Sequence, residues 1–211
     1  MVLMMTRFCV AALLLVAGCL QALGQGAPSL DTFTSPDGVF QFVYPQNYEL
    51  LVGERLLKAT QGRAATLPVC DFSMALACVI YPIEINEDTR FEAAGFAVDV
   101  VPGVKDEPEC LTFADQTARS HTGSPQVSSI VINDQVYRHS SAKKKMVGHA
   151  QSADLYRAYA QQKCYELQIA VSVADDSATQ KAAQTNSLGD FRADRARDSL
   201  RLILSSFVFK Q

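Results

Sequence analysis

Cysteines are the residues with the clearest chemical implication in this sequence of 211 residues. Two of the six cysteines belong to an N-terminal leader, and the four that remain are Cys70, Cys78, Cys110 and Cys164. An even number of cysteines in an exported chain predicts disulfides. Of the three possible pairings, we expect Cys70 with Cys78 and Cys110 with Cys164. The spacing matches neither a Cys-x-x-Cys redox motif nor a zinc ribbon, so a redox or metal site is the less favoured interpretation.

Three histidines, His121, His139 and His149, are the side chains that could act as bases near neutral pH. None of them stands at metal-ligand spacing from another. The sequence has no Gly-x-Ser-x-Gly nucleophile elbow, which a hydrolase of that class would need. We interpret the histidines as surface or hydrogen-bonded residues, with a metal or catalytic site as the alternative.

Two clusters of charged residues could suggest ligands. Glu84, Glu87 and Asp88 lie close together, but they lack the glycine and the regular spacing of a calcium loop, so we interpret them as a solvated turn. The basic cluster at residues 143–145 is short and has no aromatic residue within it. Because the formal net charge is −3, we do not expect nucleic acid as a partner.

The elements that position these side chains are centred on a predicted β-hairpin, residues 155–174, which turns at Gln161 and Gln162. Beyond the turn, apolar and polar residues alternate, as in a strand with one buried face. We expect Cys164 and a cross-strand pair of Arg157 with Glu166 on the solvent side. The Cys110–Cys164 bond would then tie that side to residues 106–115, closing a loop that contributes about 4 kcal/mol in the chain-entropy model.

A second hairpin precedes the first one. It turns at Asn133 and Asp134 and places Ser128 opposite His139. The four strands form an antiparallel meander, and its apolar face needs a cover. A helix at residues 188–205 supplies that cover through a stripe of Ala196, Leu200, Ile203 and Leu204. Charge pairs of Asp194 with Arg197 and of Asp198 with Arg201 are expected outside the stripe.

The remaining elements are predicted from shorter patterns. We expect strands at residues 39–43, 74–83, 96–101 and 206–209, helices at 53–60 and 107–119, and a helical turn at 89–94.

Residues 1–25 have the pattern of a signal peptide, with one positive charge followed by an apolar run at residues 8–20. Two processing routes remain open. The sequence that ends at Cys19 is similar to a lipobox, after which Cys19 would be lipidated, whereas Ala22 and Gly24 suit ordinary cleavage before Gln25. No later stretch reaches the roughly 20 apolar residues of a transmembrane helix. The protein is therefore predicted to be extracytoplasmic, either periplasmic or secreted, and to contact a membrane only through a lipid anchor.

Composition supports one globular unit after the leader, because 48% of the residues are hydrophobic and 19% are charged, which is typical of a chain with a core rather than of disorder. We expect a linker at residues 26–32 and a single domain at residues 33–211.

The segments SPDGVFQFVYP, residues 35–45, and LILSSFVF, residues 202–209, resemble the two ends of a PsbP-like domain. The resemblance spans residues 33–209 and implies an α+β fold in which an antiparallel sheet lies between helices, an α/β/α sandwich. Within that superfamily the chain looks closest to uncharacterised bacterial secreted proteins or lipoproteins. The four cysteines depart from the photosynthetic members, so no binding residue and no cofactor is carried over.

These observations favour an exported, disulfide-linked, non-enzymatic protein that binds or scaffolds a partner in the cell envelope, either another envelope protein or a small ligand. The alternative is a ligand-binding protein, a metal-binding protein or an enzyme with its site between the sheet and a helix. A pocket lined by Tyr137, Arg138 or His139 would favour this alternative.

Overall fold

The computed structural model describes residues 28–63, 70, 75–82, 91–112, 127–146, 148–174 and 186–210. The predicted signal peptide with Cys19 lies outside the described residues. So do His121 and the acidic cluster at Glu84, Glu87 and Asp88.

The described residues form ten strands and three helices. The strands are β1 (Leu30–Thr34), β2 (Phe40–Pro45), β3 (Glu49–Val52), β4 (Ala75–Ile80), β5 (Phe91–Val100), β6 (Val127–Ile132), β7 (Gln135–Met146), β8 (His149–Ala160), β9 (Lys163–Ala174) and β10 (Val208–Phe209). The helices are α1 (Gly53–Arg63), α2 (Glu107–Leu111) and α3 (Asn186–Ser206).

The strands form two antiparallel sheets. The larger has seven strands in the order β3-β4-β5-β9-β8-β7-β6, and the smaller has three in the order β1-β2-β10. The meander β6-β7-β8-β9 is therefore confirmed. Both of its predicted two-residue turns have positive φ at both positions, +49° and +63° at Asn133 and Asp134, and +46° and +60° at Gln161 and Gln162. This backbone matches the twist of the flanking strands and fixes the register.

The register agrees with the sequence prediction in both hairpins. Arg157 lies opposite Glu166, and Ser128 lies opposite His139. Because side chains alternate across a strand, this register determines which residues share each face of the large sheet.

The face toward α3 contains the main apolar core. Ala196, Leu200 and Ile203 of the predicted helical stripe are buried there. They pack with the strand residues Phe40, Phe42, Phe96, Tyr165, Leu167 and Ile169. The predicted cover of the meander is thus confirmed, and it extends to the small sheet, because α3 also contacts β2.

The opposite face is covered by α1 and α2, so our prediction of a solvent-exposed side for the hairpin is wrong. Cys164 is buried, and Arg157 and Glu166 are each only 8% exposed. The helix α2 packs on β8 and β9, whereas α1 packs on β3 and β4 and contributes Leu56 to a second small core. Helices on both faces of an antiparallel sheet give the predicted α/β/α sandwich and an α+β class.

Three local predictions differ from the structure. Residues 30–32 lie in β1 rather than in a linker, and Phe33 of that strand packs on Phe42 with 5.1 Å between ring centroids. Strand β3 was not predicted, because four residues are too few to show a period. Residues 91–94 belong to β5 instead of a helical turn. Their alanines favour helix intrinsically, but pairing with β4 and β9 overrides that preference.

Helix α2 is shorter than the predicted helix at residues 107–119. Asp106 caps its start by accepting a hydrogen bond from the Glu109 amide at 2.9 Å. Thr112 ends it in an extended conformation, and residues 113–119 lie outside the described part of the chain. Among the described helices, none has an apolar stretch long enough to cross a membrane.

Candidate functional site

A cleft opens between α3 and the ends of β7, β8 and β9 that lie away from the Gln161–Gln162 turn. Its volume is about 650 Å³. On this face of β8, the apolar residues Tyr156 and Ala158 give way to Ser152 and Asp154, which still point toward α3 because of the two-residue period. The cleft is therefore the polar continuation of the main core.

Asp154 is the central residue of the cleft. Its side chain is only 12% exposed, and Oδ1 accepts a hydrogen bond from Ser141 Oγ at 2.6 Å. His139 Nε2 lies 3.3 Å from the same oxygen. The other carboxylate oxygen faces two cations of α3, with 3.9 Å to Arg197 Nε and 3.7 Å to Arg201 Nη2. The Asp154 carboxylate thus contacts Ser141 and His139 of β7 through one oxygen and the two arginines of α3 through the other.

His139 is positioned by stacking on Tyr156, with 4.7 Å between the ring centroids. Burial raises the pKa of Tyr156 to about 12, and the nearby Asp154 carboxylate adds to this shift. The phenol therefore remains neutral over the physiological pH range. Tyr156 provides the stacking surface that positions the His139 ring beside Asp154.

Ser128, His139 and Asp154 follow one another across three adjacent strands. Ser128 Oγ lies 3.3 Å from His139 Nδ1, so the residue types are those of a hydrolase triad. However, the shortest bond of the carboxylate goes to Ser141, and Ser141 also lies 3.4 Å from the imidazole. These contacts position His139 and Asp154, and they do not single out Ser128 as a nucleophile.

The two arginines of α3 reach from the helix into the cleft. The predicted pairs are present, at 2.9 Å from Arg197 Nη1 to Asp194 and 3.2 Å from Arg201 Nη1 to Asp198. We expected these pairs to lie entirely outside, but both guanidinium groups line the cleft. Arg197 also donates to Ser152 Oγ at 2.6 Å, which ties α3 to β8.

None of the three residues that we predicted for a pocket lines the cleft, although His139 contacts Asp154 at its wall. Tyr137 is buried in the main core, where burial raises the pKa of its phenol. Arg138 points to the other face and donates to Ser129 Oγ at 2.9 Å. His149 lies elsewhere, with Nδ1 2.6 Å from Glu92 Oε1, and Ser172 donates to the other Glu92 oxygen.

No three side chains of the metal-binding types His, Cys, Asp and Glu converge within the described residues. The structure therefore adds no support to the metal-binding alternative.

The opposite face of the sheet contains the cysteines and a second charged cluster. Cys70 lies beside Cys78 and Cys110 beside Cys164, with Cα–Cα distances of 6.0 and 5.3 Å that suit disulfides. Next to the second pair, Arg157 Nε donates to Glu166 at 2.6 Å and Nη1 donates to the Thr112 carbonyl.

Asp99 lies directly across from Glu166 in the sheet. Burial raises the pKa of Asp99 to about 6, and the Glu166 carboxylate adds to this shift, while the Val100 amide opposes it. Asp99 is therefore a carboxyl group on this face that titrates near pH 6.

Sequence reasoning missed the residues that define the cleft, Ser152, Asp154, Arg197 and Arg201. Two signals were available. Asp154 continues the face of the strand on which Tyr156 and Ala158 lie, and Arg197 and Arg201 are four residues apart beside the apolar stripe of α3. A polar residue at a core-facing position indicates either a partner inside the protein or a binding site.

Comparisons with known proteins give likenesses at the level of fold. No protein-family model matches the chain, and no curated protein matches it. The solved structures that resemble it include the cyanobacterial PsbP of Synechocystis, with 15% identity, coverage of 89% of this chain and 96% of that one, and a TM-score of 0.44. LpqN of Mycobacterium tuberculosis, described as involved in cell envelope biogenesis, has 11% identity, coverage of 87% and 91%, and a TM-score of 0.47.

A third likeness is to the Ran-binding protein Mog1p of Saccharomyces cerevisiae, with 12% identity, coverage of 86% of this chain and 96% of that one, and a TM-score of 0.48. One of the three, the cyanobacterial PsbP, bears the name of the family that the sequence resembles. The α/β/α architecture that we predicted from the sequence resemblance is the architecture of this chain. At these identities, no activity or partner is carried over from any of the three proteins.

Proposed function

We propose that this protein is an exported, disulfide-linked, non-enzymatic binding protein of the cell envelope, and that it binds its ligand in the cleft between the large sheet and α3. The observation that carries the proposal is the polar cluster around Asp154 at the wall of a cleft of about 650 Å³. Small-molecule sites are typically concave and mostly apolar, with a few well-placed polar groups.

Apolar and polar groups are both present in the cleft. Val171, Val173, Ala150 and Ala193 form an apolar surface, while Ser152 and the residues around Asp154 supply hydrogen-bonding groups. The polar side chains are held by one another through bonds to Asp154 and Ser152. Side chains held in this way lose less conformational entropy when a ligand binds.

Export is supported by the leader pattern of residues 1–25 and by the two cysteine pairs at disulfide distance. The intact mass of the mature protein from its native envelope, with and without reduction, tests this part. We expect a chain that begins at Gln25 or at an acylated Cys19, and a gain of about 4 Da on reduction because two disulfides take up four hydrogens. A chain that retains Met1, or a mass that reduction leaves unchanged, would overturn it.

A substitution that fills the cleft tests the binding site. The mature protein and its Ser152→Trp variant would be screened by thermal denaturation against one library of acidic, basic and neutral small molecules. Ser129→Trp is the matched control, because Ser129 is an exposed serine on β6, on the opposite face of the sheet.

We expect compounds that raise the Tm of the unmodified protein and of Ser129→Trp, but not that of Ser152→Trp, while circular dichroism shows that all three are folded. If the same compounds also stabilise Ser152→Trp, the ligand binds elsewhere and the proposal is wrong. Turnover of a bound compound that depends on Ser128 and His139 would instead make the protein an enzyme.

A further inference from the structure

We propose that the ligand of this cleft is an amphiphilic anion, a molecule with a carboxylate or phosphate group attached to an apolar body. This inference rests on the proposed function, because it specifies the ligand class of the same cleft. It follows from the charges that line the cleft, from the hydrogen-bond donors that they offer, and from the apolar surface beside them.

The lining of the cleft has more cationic than anionic groups. Lys143, Arg197 and Arg201 face Asp154 and Asp194, which leaves one positive charge in excess among the described lining residues. Asp194 lies at the rim and its side chain is 71% exposed, so water screens its charge strongly. Lys143 is exposed as well, and the side chain of Arg201 is 52% exposed, so the excess positive charge lies toward the rim, while Arg197 faces Asp154 deeper in the cleft.

Some donors of the two arginines are already used, because Arg197 donates to Asp194 and Ser152 and Arg201 donates to Asp198. A guanidinium group has five N–H donors, so others remain for a ligand. The contacts of Asp154 with Arg197 and Arg201, 3.9 and 3.7 Å, are longer than the 2.7–2.9 Å typical of a charge-assisted hydrogen bond. Arg201 is 52% exposed, and its pair with Asp198 lies on the outer side of the helix. Lys143 forms no ion pair within the described part of the chain. Guanidinium and ammonium groups arranged in this way suit carboxylate or phosphate oxygens.

Asp154 keeps this arrangement in place. Because its oxygens interact with Ser141, His139 and both arginines, it holds the guanidinium groups at the wall of the cleft. An incoming anion would meet Arg197, which is held by Ser152 beside the buried carboxylate, together with the more exposed Arg201 and Lys143. Such preorganisation reduces the entropy lost on binding.

The apolar surface lies next to the cations. Val173 of β9 and Ala150 of β8 are its partly exposed members, whereas Val171 and Ala193 beside them are already buried in the main core. A free inorganic anion would leave this surface in contact with water. A ligand with an apolar body would cover it and gain hydrophobic free energy in addition to the charge interaction.

Isothermal titration calorimetry with probes that share one alkyl chain tests the inference. The mature protein would be titrated with octyl phosphate, octanoate, octan-1-ol, octylammonium and inorganic phosphate. The charged octyl compounds are kept below their critical micelle concentrations, and octanol below its solubility limit. We expect the two octyl anions to bind at least about tenfold more tightly than octanol, octylammonium or inorganic phosphate.

Charge-removing variants place the binding in the cleft. Arg197→Gln and Lys143→Gln should each weaken octyl phosphate binding by about tenfold. Arg138→Gln is the matched control, because it removes a cation from the same strand as Lys143 but from the opposite face of the sheet, and it should leave the affinity unchanged. Lys143→Gln keeps the test valid if Arg197→Gln fails to fold.

The outcomes separate this inference from the proposed function. Equal binding of octanol or octylammonium, lost in Ser152→Trp, would leave the cleft as the binding site and overturn the anionic ligand. If inorganic phosphate binds as tightly as octyl phosphate, the ligand does not need an apolar body, and that part of the inference is wrong. If the octyl anions bind and neither Arg197→Gln nor Lys143→Gln lowers their affinity, the inference is wrong. If no probe binds at all, both the inference and the cleft as a binding site for small amphiphiles are wrong.

Discussion

The two faces of the seven-stranded sheet use the same residue types in different ways. On the face toward α2, Arg157 and Glu166 form an ion pair at 2.6 Å, and their side chains are 10% and 9% exposed. On the face toward α3, Arg197 and Arg201 lie 3.9 and 3.7 Å from Asp154, and their side chains are 23% and 52% exposed. The first cluster is closed, and the second is partly open to solvent.

The difference arises from what covers each cluster. Helix α2 lies over Arg157 and is held next to β9 by the Cys110–Cys164 pair. The carbonyl of Thr112 also accepts a hydrogen bond from Arg157. Helix α3 packs its apolar stripe on the core but presents arginines to the end of the sheet. A charged pair beneath a tethered helix stabilises the fold, whereas one at the edge of a cleft can exchange partners with a ligand.

Removing the link that holds α2 should have the largest effect on stability. The double variant Cys110→Ser and Cys164→Ser opens a loop of 54 residues in sequence separation. It should lower the free energy of unfolding by about 4 kcal/mol in the chain-entropy model. The matched control, Cys70→Ser with Cys78→Ser, opens a separation of 8 residues and should cost about 2.5 kcal/mol. Urea denaturation of the oxidised protein measures both, and equal losses would contradict the chain-entropy explanation.

Breaking each charged cluster sharpens the comparison of the two faces. Arg157→Met leaves the buried Glu166 without its cation and should cost about 3 kcal/mol, whereas Arg197→Met on the open face should cost less than about 1 kcal/mol. Urea denaturation at pH 7 gives both values.

The double variant Arg157→Met with Glu166→Leu should recover most of the loss, because no buried charge remains unpaired. If Arg197→Met destabilises the protein as much as Arg157→Met does, the open cluster is a structural element and the contrast between the faces fails.

Asp99 should make the closed face sensitive to pH, with a smaller effect. Its pKa is raised to about 6 in the folded protein, so the folded state binds more protons than the unfolded state between roughly pH 4 and 6. The free energy of unfolding should therefore fall as the pH rises through this range. In the Asp99→Asn variant, the decrease in the free energy of unfolding over this range should be smaller by about 1 kcal/mol. The full shift in pKa would give more, but Asp99 is partly exposed and water screens its interactions. Urea denaturation at pH 4, 5, 6 and 7 measures it, and parallel curves for the two proteins would contradict the shift.

The hairpins could be predicted because their information is local. Two-residue turns and strict alternation determine register without knowledge of the rest of the chain, and both registers agree with the structure. The burial of Arg157 and Glu166 could not be predicted in this way, because it depends on α2, which precedes the hairpin by about 40 residues and covers it only in the folded protein. The alternation of apolar and polar residues shows that a strand has two faces, but it does not show whether another element covers the polar face.

The cleft was harder to predict for a similar reason. Arg197 and Ser152 are 45 residues apart, and their contact requires the angle at which α3 crosses the sheet. The sequence did indicate the general position, between the sheet and a helix, but none of the three residues that we named for a pocket lines the cleft. It could not place Asp154 at the centre, because one aspartate in a strand is equally compatible with a solvated edge.

The most direct test of the contrast between the faces is an NMR titration of the arginine side chains with octyl phosphate. The Nε–H resonances of Arg197 and Arg201 should shift in a saturable manner, because both groups line the cleft. The Nε–H resonance of Arg157 should not move, because Glu166 already accepts from it beneath α2. Saturable shifts of Arg157 with none at Arg197 or Arg201 would contradict the account, because the ligand would then bind on the face that we describe as closed.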